Sequence, residues 1–386
     1  MTFSGPPLEK PFDVSKILSH GLATDPDGLA LVSAETRWTW RELDMASSRI
    51  AGHYRDLGLK KGDRVASLMP NRPVLLVHYL ACWKMGLVAT PLNYRYQAPE
   101  IDHALEVSGA SAIFAHSERK EDLSRSKMVE KLPLGVISYL SKEGHHPSVE
   151  EFLEQEPTDT SFPSVESSSP AMIFFTSGST GKPKGVTHSL ETWGWMLASM
   201  IRGMELHSQN VVLPGSSISH IGGFAFSFAG LATGAKVVVA RNFDGHELLP
   251  LLREHRPTHF IMLPAALFAL VRDHGVKGED FSSIRLCFSG GDKVSAELER
   301  EFTELTGFPI EEGYGMTEIG FTSCNPPSGP NKLGSVGPLY PGYSLSIRDE
   351  SGKELGIHQE GKLWIKFPGV LTGYWDNPKA TEETIQ

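Results

Sequence analysis

The strongest constraint on the fold is an alternation of helical and strand-like segments that begins near residue 38. Thr39 predicts a helix N-cap and Gly58 predicts the end of that helix. Between them, Leu43, Ala46 and Ile50 fall at helical spacing. Short apolar runs such as VASLM and LVATPLN follow, and a second alternating block extends from about residue 190 to 318. We therefore expect an α/β fold with two doubly wound subdomains built on parallel or mixed sheets.

Changes of composition divide the chain into segments. The stretch from about 141 to 170 is polar and rich in serine and proline, which predicts a surface connection. After about residue 325, short strand patterns alternate with glycine- and proline-rich turns, as in a small β structure. Because 386 residues exceed what one hydrophobic core supports, we expect three parts. They are an α/β subdomain in residues 1–190, a second in 191–324 and a small β-barrel-like subdomain in 325–386.

Charge and cysteine content narrow the classes of function. The formal net charge is −10, which argues against nucleic-acid binding because phosphate backbones require an excess of lysine and arginine. The cysteines at 82, 287 and 324 are far apart and lack metal-ligand spacing, which predicts reduced thiols. No apolar stretch approaches the roughly 20 residues of a membrane span. We expect a cytoplasmic protein without a membrane span.

The polar stretch FTSGSTGKPKGVTHS, residues 175–189, begins at the end of the apolar run AMIFFT, residues 171–176. A strand at that run would deliver the stretch to the carboxyl edge of a sheet, where open α/β folds bind ligands. Glycines allow close backbone approach, while hydroxyls and lysines add donors and positive charge. These groups suit a polyanion, and a nucleotide triphosphate is the obvious one.

Two other interpretations of this stretch fit less well. A mobile Gly/Ser linker has a similar composition, but it is not expected directly behind a buried strand and with two lysines. An ordinary P-loop needs glycine six and one positions before a lysine that serine or threonine follows. Lys182 has Thr176 and Pro183 at two of these positions, and Pro183 precedes Lys184. The sequence therefore predicts a phosphate loop of another kind.

The run TSGSTGKPKGV resembles the signature of the adenylate-forming superfamily, which includes acyl-CoA synthetases, aryl-CoA ligases, luciferases and the adenylation domains of peptide synthetases. Further blocks follow the order that this family shows: GDRVA at 62–66, VATPLN at 88–93, SHIGG at 219–223, SGGD at 289–292, EGYGMTE at 312–318 and GKLWIKFPGVLTGYWDNPKAT at 361–381. The resemblance spans nearly the whole chain.

The resemblance implies that a carboxylic acid attacks the α-phosphate of ATP to give an acyl adenylate, from which CoA displaces AMP. It implies catalytic roles for Thr176, Lys184, His220 and Glu318, with Thr176 and Glu318 also holding Mg²⁺. It implies nucleotide contacts at Ser177, Gly178, Ser179, Thr180, Gly181, Lys182, Gly290, Gly291, Glu312, Gly313, Tyr314, Gly315, Met316 and Thr317. Within these sets, Tyr314 would lie against adenine and His220 beside the substrate carboxylate.

The resemblance also implies that the chain stops before the family's hinge and C-terminal lid domain. We expect such a lidless domain to bind nucleotide weakly and to form acyl adenylate poorly. Because residues 216–236 contain no Asp or Glu to pair with a substrate ammonium, an uncharged fatty or aryl acid is favoured. The alternatives are an adenylating domain without CoA transfer and a non-catalytic protein that binds nucleotide or acyl groups. Aromatic residues between 193 and 228 are typical of core more than of a substrate pocket.

Overall fold

Helices and strands alternate along most of the chain in the computed structural model, which describes residues 2–141, 147–176, 181–273 and 275–386. The strands are β1 Thr2–Ser4, β2 Leu29–Val32, β3 Arg37–Thr39, β4 Arg64–Leu68, β5 Val88–Pro91, β6 Ala112–His116, β7 Val136–Tyr139, β8 Pro170–Thr176, β9 Lys184–Ser189, β10 Val211–Gly215, β11 Lys236–Val238, β12 His259–Met262, β13 Leu286–Ser289, β14 Glu311–Met316, β15 Gly320–Cys324, β16 Ser344–Arg348, β17 Lys362–Lys366 and β18 Gly373–Tyr374. The helices are α1 Ser19–Thr24, α2 Trp40–Asp56, α3 Pro73–Met85, α4 Ala98–Ser108, α5 Lys120–Arg125, α6 Val149–Glu154, α7 Leu190–Gly203, α8 Ile221–Ala232, α9 Gly245–His255, α10 Pro264–Val271, α11 Ala296–Thr306 and α12 Pro378–Thr384.

Local signals in the sequence account for many of these helix ends. The predicted N-cap Thr39 forms a capping box with Glu42, in which each side chain binds the other's backbone NH at the start of α2. Gly86 ends α3 in the left-handed conformation that glycine adopts at low cost. Asn377 caps α12, and Pro378 occupies its first position. The predicted N-cap at Thr39 is confirmed.

A seven-stranded sheet has the order β18-β9-β8-β5-β4-β6-β7. Its strands from β8 to β7 pair in parallel, as the helix-strand alternation predicts. At the other side, β9 pairs antiparallel with both β8 and β18. The polar stretch after β8 therefore returns along the same sheet as β9, a strand that the sequence analysis did not predict.

An eight-stranded sheet has the order β15-β14-β13-β12-β10-β11-β2-β3, and its central strands are parallel. The remaining sheet, β1-β16-β17, is antiparallel, and it is open where the sequence predicted a barrel-like unit. The α/β fold class is confirmed. Strands from the first 40 residues join both of these sheets, so the sheets draw on chain segments from either side of the expected boundaries. The division into 1–190, 191–324 and 325–386 remains a prediction.

A cluster of aromatic rings in the core lies where α3, α7, α8 and β8 meet. Phe224 of α8 is fully buried at its centre. Its ring lies with centroid distances between 4.8 and 5.8 Å from the rings of Tyr79, Trp83, Phe174, Trp193 and Phe228. Edge-on and tilted contacts of this kind add to the stabilisation from burial. The expectation that aromatic residues between 193 and 228 belong to the core is confirmed for Trp193, Phe224 and Phe228.

None of the helices within the described ranges is both long enough and apolar enough to cross a lipid bilayer.

Truncation of Phe224 to alanine should lower the free energy of unfolding by about 3–5 kcal/mol, because it removes a fully buried ring and leaves a cavity. Chemical denaturation of wild type and variant measures the loss. The matched control is Phe3→Ala, since the Phe3 side chain is 48% exposed, and it should cost less than about 1 kcal/mol. Equal losses for the two variants would contradict the central position of Phe224.

Candidate active site

The hairpin of β8 and β9 brings together two of the predicted catalytic residues. Thr176 at the end of β8 pairs with Lys184 at the start of β9, so the two residues flank the base of the connecting loop. Lys184 is half-buried, while Gly181 and Lys182 at the end of the loop are exposed. The predicted contacts Ser177, Gly178, Ser179 and Thr180 lie outside the described residues.

A second hairpin, formed by β14 and β15, carries the EGYGMTE block. Glu312 to Met316 lie in β14, and Thr317 and Glu318 lie in the turn that leads to β15. The Tyr314 side chain is 37% exposed, so its ring is available to a ligand. Gly313 is required for packing, since a Cβ there would lie 2.2 Å from the Phe288 ring. The first five residues of the block thus lie within the strand, and the last two lie in the turn.

Tyr374 of β18 connects these two hairpins. The Nζ atom of Lys184 lies 4.3 Å from the centroid of the Tyr374 ring, a distance typical of a cation–π contact. The hydroxyl of Tyr374 donates a hydrogen bond of 3.0 Å to Oε1 of the buried Glu318. Burial, together with the charge of Glu318, raises the pKa of Tyr374 to about 12, so the hydroxyl keeps the proton that it donates. Tyr374 therefore contacts Lys184 through its ring and Glu318 through its hydroxyl.

The backbone of the turn that carries Glu318 is fixed by separate contacts. Nε2 of His188 donates to the carbonyl of Thr317 at 2.8 Å, and the backbone NH of Leu371 donates to the carbonyl of Glu318 at 2.7 Å. His188 is fully buried, and the desolvation lowers its pKa to about 4. A neutral ring at physiological pH can bond the carbonyl through one nitrogen without burying a charge.

A cavity of about 1140 Å³ opens beside this turn. The predicted site residues that line it are His220, Gly290, Gly291, Gly313, Gly315, Met316 and Thr317. Thr317 lines the cavity, and its neighbour Glu318 bonds Tyr374. The turn therefore contributes Thr317 to the cavity wall and Glu318 to the contact with Tyr374.

Comparison with known proteins gives a consistent result. Residues 18–375 match the family of AMP-binding enzymes. The chain belongs to this family.

Curated relatives and solved structures agree with the family. A feruloyl-CoA synthase of an Amycolatopsis species is 29% identical over 371 residues, which cover 94% of this chain and 71% of the relative. A long-chain-fatty-acid–CoA ligase of Bacillus subtilis is 25% identical and covers 97% of this chain and 72% of the relative. The crystal structure of ATP-bound MatB from Rhodopseudomonas palustris superposes with a TM-score of 0.86 at 25% identity, over 97% of this chain and 74% of that chain.

In this AMP-binding enzyme, His220 immediately precedes α8 and its ring opens into the cavity. The surrounding protein desolvates the ring and lowers the pKa of His220 below its ordinary value. Asn71 holds the loop that leads to His220. Its side-chain amide donates to the carbonyl of Ser216 and accepts from the backbone NH of Ile218, each at 2.9 Å. The loop that leads to His220 is thus fixed by Asn71.

The two glycines of the SGGD segment line the cavity and are each required by the local backbone. Gly290 is buried against β14, where a Cβ would lie 3.0 Å from the carbonyl of Gly313. Gly291 has φ of +85°, which favours glycine. Ser295 caps α11, while the side chain of Asp292 accepts a hydrogen bond from the backbone NH of Lys293.

The wall of the cavity is largely apolar but carries charge at its rim. Apolar side chains come from β12, α10 and β13, including Ile261, Leu263, Ala266, Leu270 and Phe288. At the rim, Arg241 and the Tyr94 hydroxyl both bond the carboxylate of Glu118. Asp244 and Asp273 also line the cavity. The sequence argument for an uncharged substrate considered only residues 216–236 and therefore missed these two carboxylates.

Three residues with clear roles in the geometry were not singled out by the sequence. They are Asn71, His188 and Tyr374. Asn71 lies soon after the predicted strand VASLM, at the carboxyl end where polar residues are candidates for a site. Tyr374 lies within the quoted block 361–381, but its contact with Glu318 joins residues 56 positions apart. Such a contact has no local signal.

Substitution of His188 should reduce the acid sensitivity of the fold. In the unfolded chain a histidine takes up its proton near pH 6.5, whereas folded His188 does so only near pH 4. The stabilisation by its neutral ring is therefore complete above about pH 6.5. It is lost as the pH falls toward 4, by up to about 1.4 kcal/mol per pH unit. The variant His188→Gln keeps a donor for Thr317 but does not titrate.

Denaturation at pH 7, 6 and 5 should thus give a shallower loss of unfolding free energy for His188→Gln than for wild type. His246→Gln, at an exposed histidine, is the control and should follow the wild-type slope. A His188→Gln slope equal to that of wild type would contradict the neutral, buried state of His188.

Proposed function

We propose that this protein activates a carboxylic acid with ATP, giving an acyl adenylate and pyrophosphate, and then transfers the acyl group to the thiol of CoA. The observation that carries the proposal is the contact chain from Lys184 through Tyr374 to Glu318, formed beside the turn whose Thr317 lines the large cavity. A reaction between two anions needs positive charge and alignment at one place. Membership of the AMP-binding family supports ATP as the nucleotide.

Positive charge at the phosphates would come from the β8–β9 hairpin. Lys184 is half-buried, so its ammonium acts in a less polar environment than bulk water and interacts more strongly with an anion. Lys182 is exposed and would meet the outer phosphates. The hydroxyl of Thr176, directly across from Lys184, adds a donor. The phosphates of the nucleotide would thus be bound at the base of the loop.

The residues present fit a magnesium ion. Mg²⁺ prefers oxygen ligands and is held by one or two carboxylates together with substrate phosphates. Glu318 offers a carboxylate of which one oxygen is bonded by Tyr374, and Thr176 offers a hydroxyl. When bound, the ion would neutralise charge on the phosphates. Glu318 would contribute a fixed carboxylate, and Lys184 would bind the phosphates directly.

The acid would enter the cavity with its carboxylate toward His220. A neutral imidazole carries one N–H group, which can donate a hydrogen bond to the substrate carboxylate without adding a charge to the cavity. Gly290 and Gly291 leave room for a flat group, and Met316 and Thr317 close the cavity on the nucleotide side. The apolar part of the cavity wall would limit the access of water to an adenylate and so slow its hydrolysis.

An aryl or fatty acid is the favoured substrate class. Apolar side chains of Leu263, Ala266 and Leu270 line the cavity, and burial of an apolar tail against them would supply binding energy. Relatives include a feruloyl-CoA synthase and a long-chain-fatty-acid–CoA ligase. Asp244 and Asp273 are the observation that favours a second candidate, an acid that carries an amino or hydroxyl group away from its carboxylate. Action in the cytoplasm also remains a prediction.

The substitution Lys184→Met should weaken ATP binding by about 10-fold or more, because it removes a charge-assisted contact with phosphate. Titration of ATP with Mg²⁺, followed by calorimetry, measures the change. Lys379→Met is the matched control, since Lys379 is an exposed lysine on α12. The proposal fails if wild type binds no ATP, or if the two variants bind it equally well.

A single-turnover assay should separate the substrate classes. Wild type is mixed with ATP, Mg²⁺ and one acid from a panel of benzoate, a hydroxycinnamate, an aminobenzoate, octanoate and phenylalanine, and acyl-AMP is measured by mass spectrometry. We expect acyl-AMP above the acid-free background for aryl or fatty acids, because the cavity wall is apolar. Adenylation of phenylalanine alone would contradict this substrate class. ATP binding without acyl-AMP from any acid would indicate a nucleotide-binding protein.

A further inference from the structure

Tyr374 contacts two residues to which the proposed function gives roles in binding ATP and its Mg²⁺. Its ring lies 4.3 Å from Nζ of Lys184, and its hydroxyl donates to Glu318 at 3.0 Å. The side chain is only 7% exposed. Its backbone pairs with Val186 of β9, and the NH of Trp375 donates to the carbonyl of Gly185 at 2.7 Å. The position of the ring is therefore set by the same strand that carries Lys184.

The turn that carries Glu318 does not depend on Tyr374 for its backbone position. His188 bonds the carbonyl of Thr317, and Leu371 bonds the carbonyl of Glu318. In addition, the hydroxyl of Tyr343 donates to the carbonyl of Ile319. The hydroxyl of Tyr374 is thus the contact that acts on the carboxylate itself.

The contacts with Tyr374 restrict the side-chain rotation of Lys184 and Glu318. A glutamate side chain has three rotatable bonds, and a lysine carries its charge on a flexible four-carbon stem. A ligand that meets these groups already oriented does not have to order them. An aromatic face for the ammonium and a phenol donor for the carboxylate would provide this orientation from one rigid side chain.

We propose that Tyr374 is a positioning residue that fixes the Lys184 ammonium and the Glu318 carboxylate relative to each other, so that ATP and its Mg²⁺ meet both groups in place. This inference rests on the proposed function. Tyr374 itself does not contact the reacting atoms. Its hydroxyl acts on the metal side of the site, through Glu318, and its ring acts on the phosphate side, through Lys184.

The two contacts can be separated by two substitutions. Tyr374→Phe removes the bond to Glu318 but keeps the ring beside Lys184. Tyr374→Leu removes both. For wild type and each variant, the dissociation constant of ATP is measured with Mg²⁺ and again with EDTA. The ratio of the two constants reports the metal-dependent part of binding, and it does not require turnover.

Tyr374→Phe should reduce the gain in affinity that Mg²⁺ provides by about 10-fold, the size of a hydrogen bond to a charged group. Its ATP affinity in EDTA should stay within about 2-fold of wild type. Tyr374→Leu should in addition weaken ATP binding in EDTA by about 5-fold, because the ammonium loses its aromatic face. If a structural change alone were responsible, both variants would alter the two constants in the same proportion.

Tyr343→Phe is the matched control. It also removes a buried tyrosine hydroxyl beside this turn, but one that bonds the backbone of Ile319. It should lower the unfolding temperature and leave the Mg²⁺ dependence as in wild type. The inference is overturned if Tyr374→Phe keeps the wild-type ratio, if Tyr343→Phe changes the ratio equally, or if Tyr374→Phe does not fold. Absence of ATP binding by wild type would overturn the proposed function together with this inference.

Discussion

Backbone pairing along β9 is the constraint on which the candidate site depends. This strand pairs with β8 on one side and with β18 on the other. It thereby places three separate chain segments in one sheet, and these segments carry Thr176, Lys184 and Tyr374. The side chain of His188, on the same strand, reaches the turn of the β14–β15 hairpin. Through this contact of β9, the seven-stranded sheet meets the eight-stranded sheet at the candidate site.

Electrostatics explains why the site is built in this way. The chain carries a formal net charge of −10, so its overall field repels a polyanionic nucleotide. Positive charge must therefore be local. Lys184 is held beside the aromatic face of Tyr374, whose hydroxyl bonds Glu318. At the rim of the cavity, by contrast, Arg241 is paired with Glu118.

The sequence was sufficient for elements with local signals. The capping box of α2, the apolar run of β8 and the proline and asparagine of α12 each lie within a few residues of the feature that they specify. It was insufficient for β9, whose residues follow a glycine-rich loop and alternate over only six positions. A two-residue strand such as β18 has no recognisable pattern at all.

The same distinction applies to the candidate site. The motifs identified His220, Gly290, Gly291 and Thr317, and the structure brings these residues to one cavity. The motifs did not identify Asp273, because the cavity wall is assembled from α10 and β12 as well as from α8. They also did not identify the bond between Tyr374 and Glu318, which depends on how two sheets pack. Long-range pairing is set by the whole fold and is not encoded in any single stretch.

The pairing of Thr176 with Lys184 also limits how this region can diverge among related proteins. Side chains alternate between the two faces of a strand, so a register slip of one residue would turn the lysine to the opposite face. Replacing one small polar residue of the intervening loop by another would preserve this register. A single-residue insertion or deletion would have to be absorbed within the loop. The register of this hairpin is therefore less sensitive to substitutions in the loop than to changes in its length.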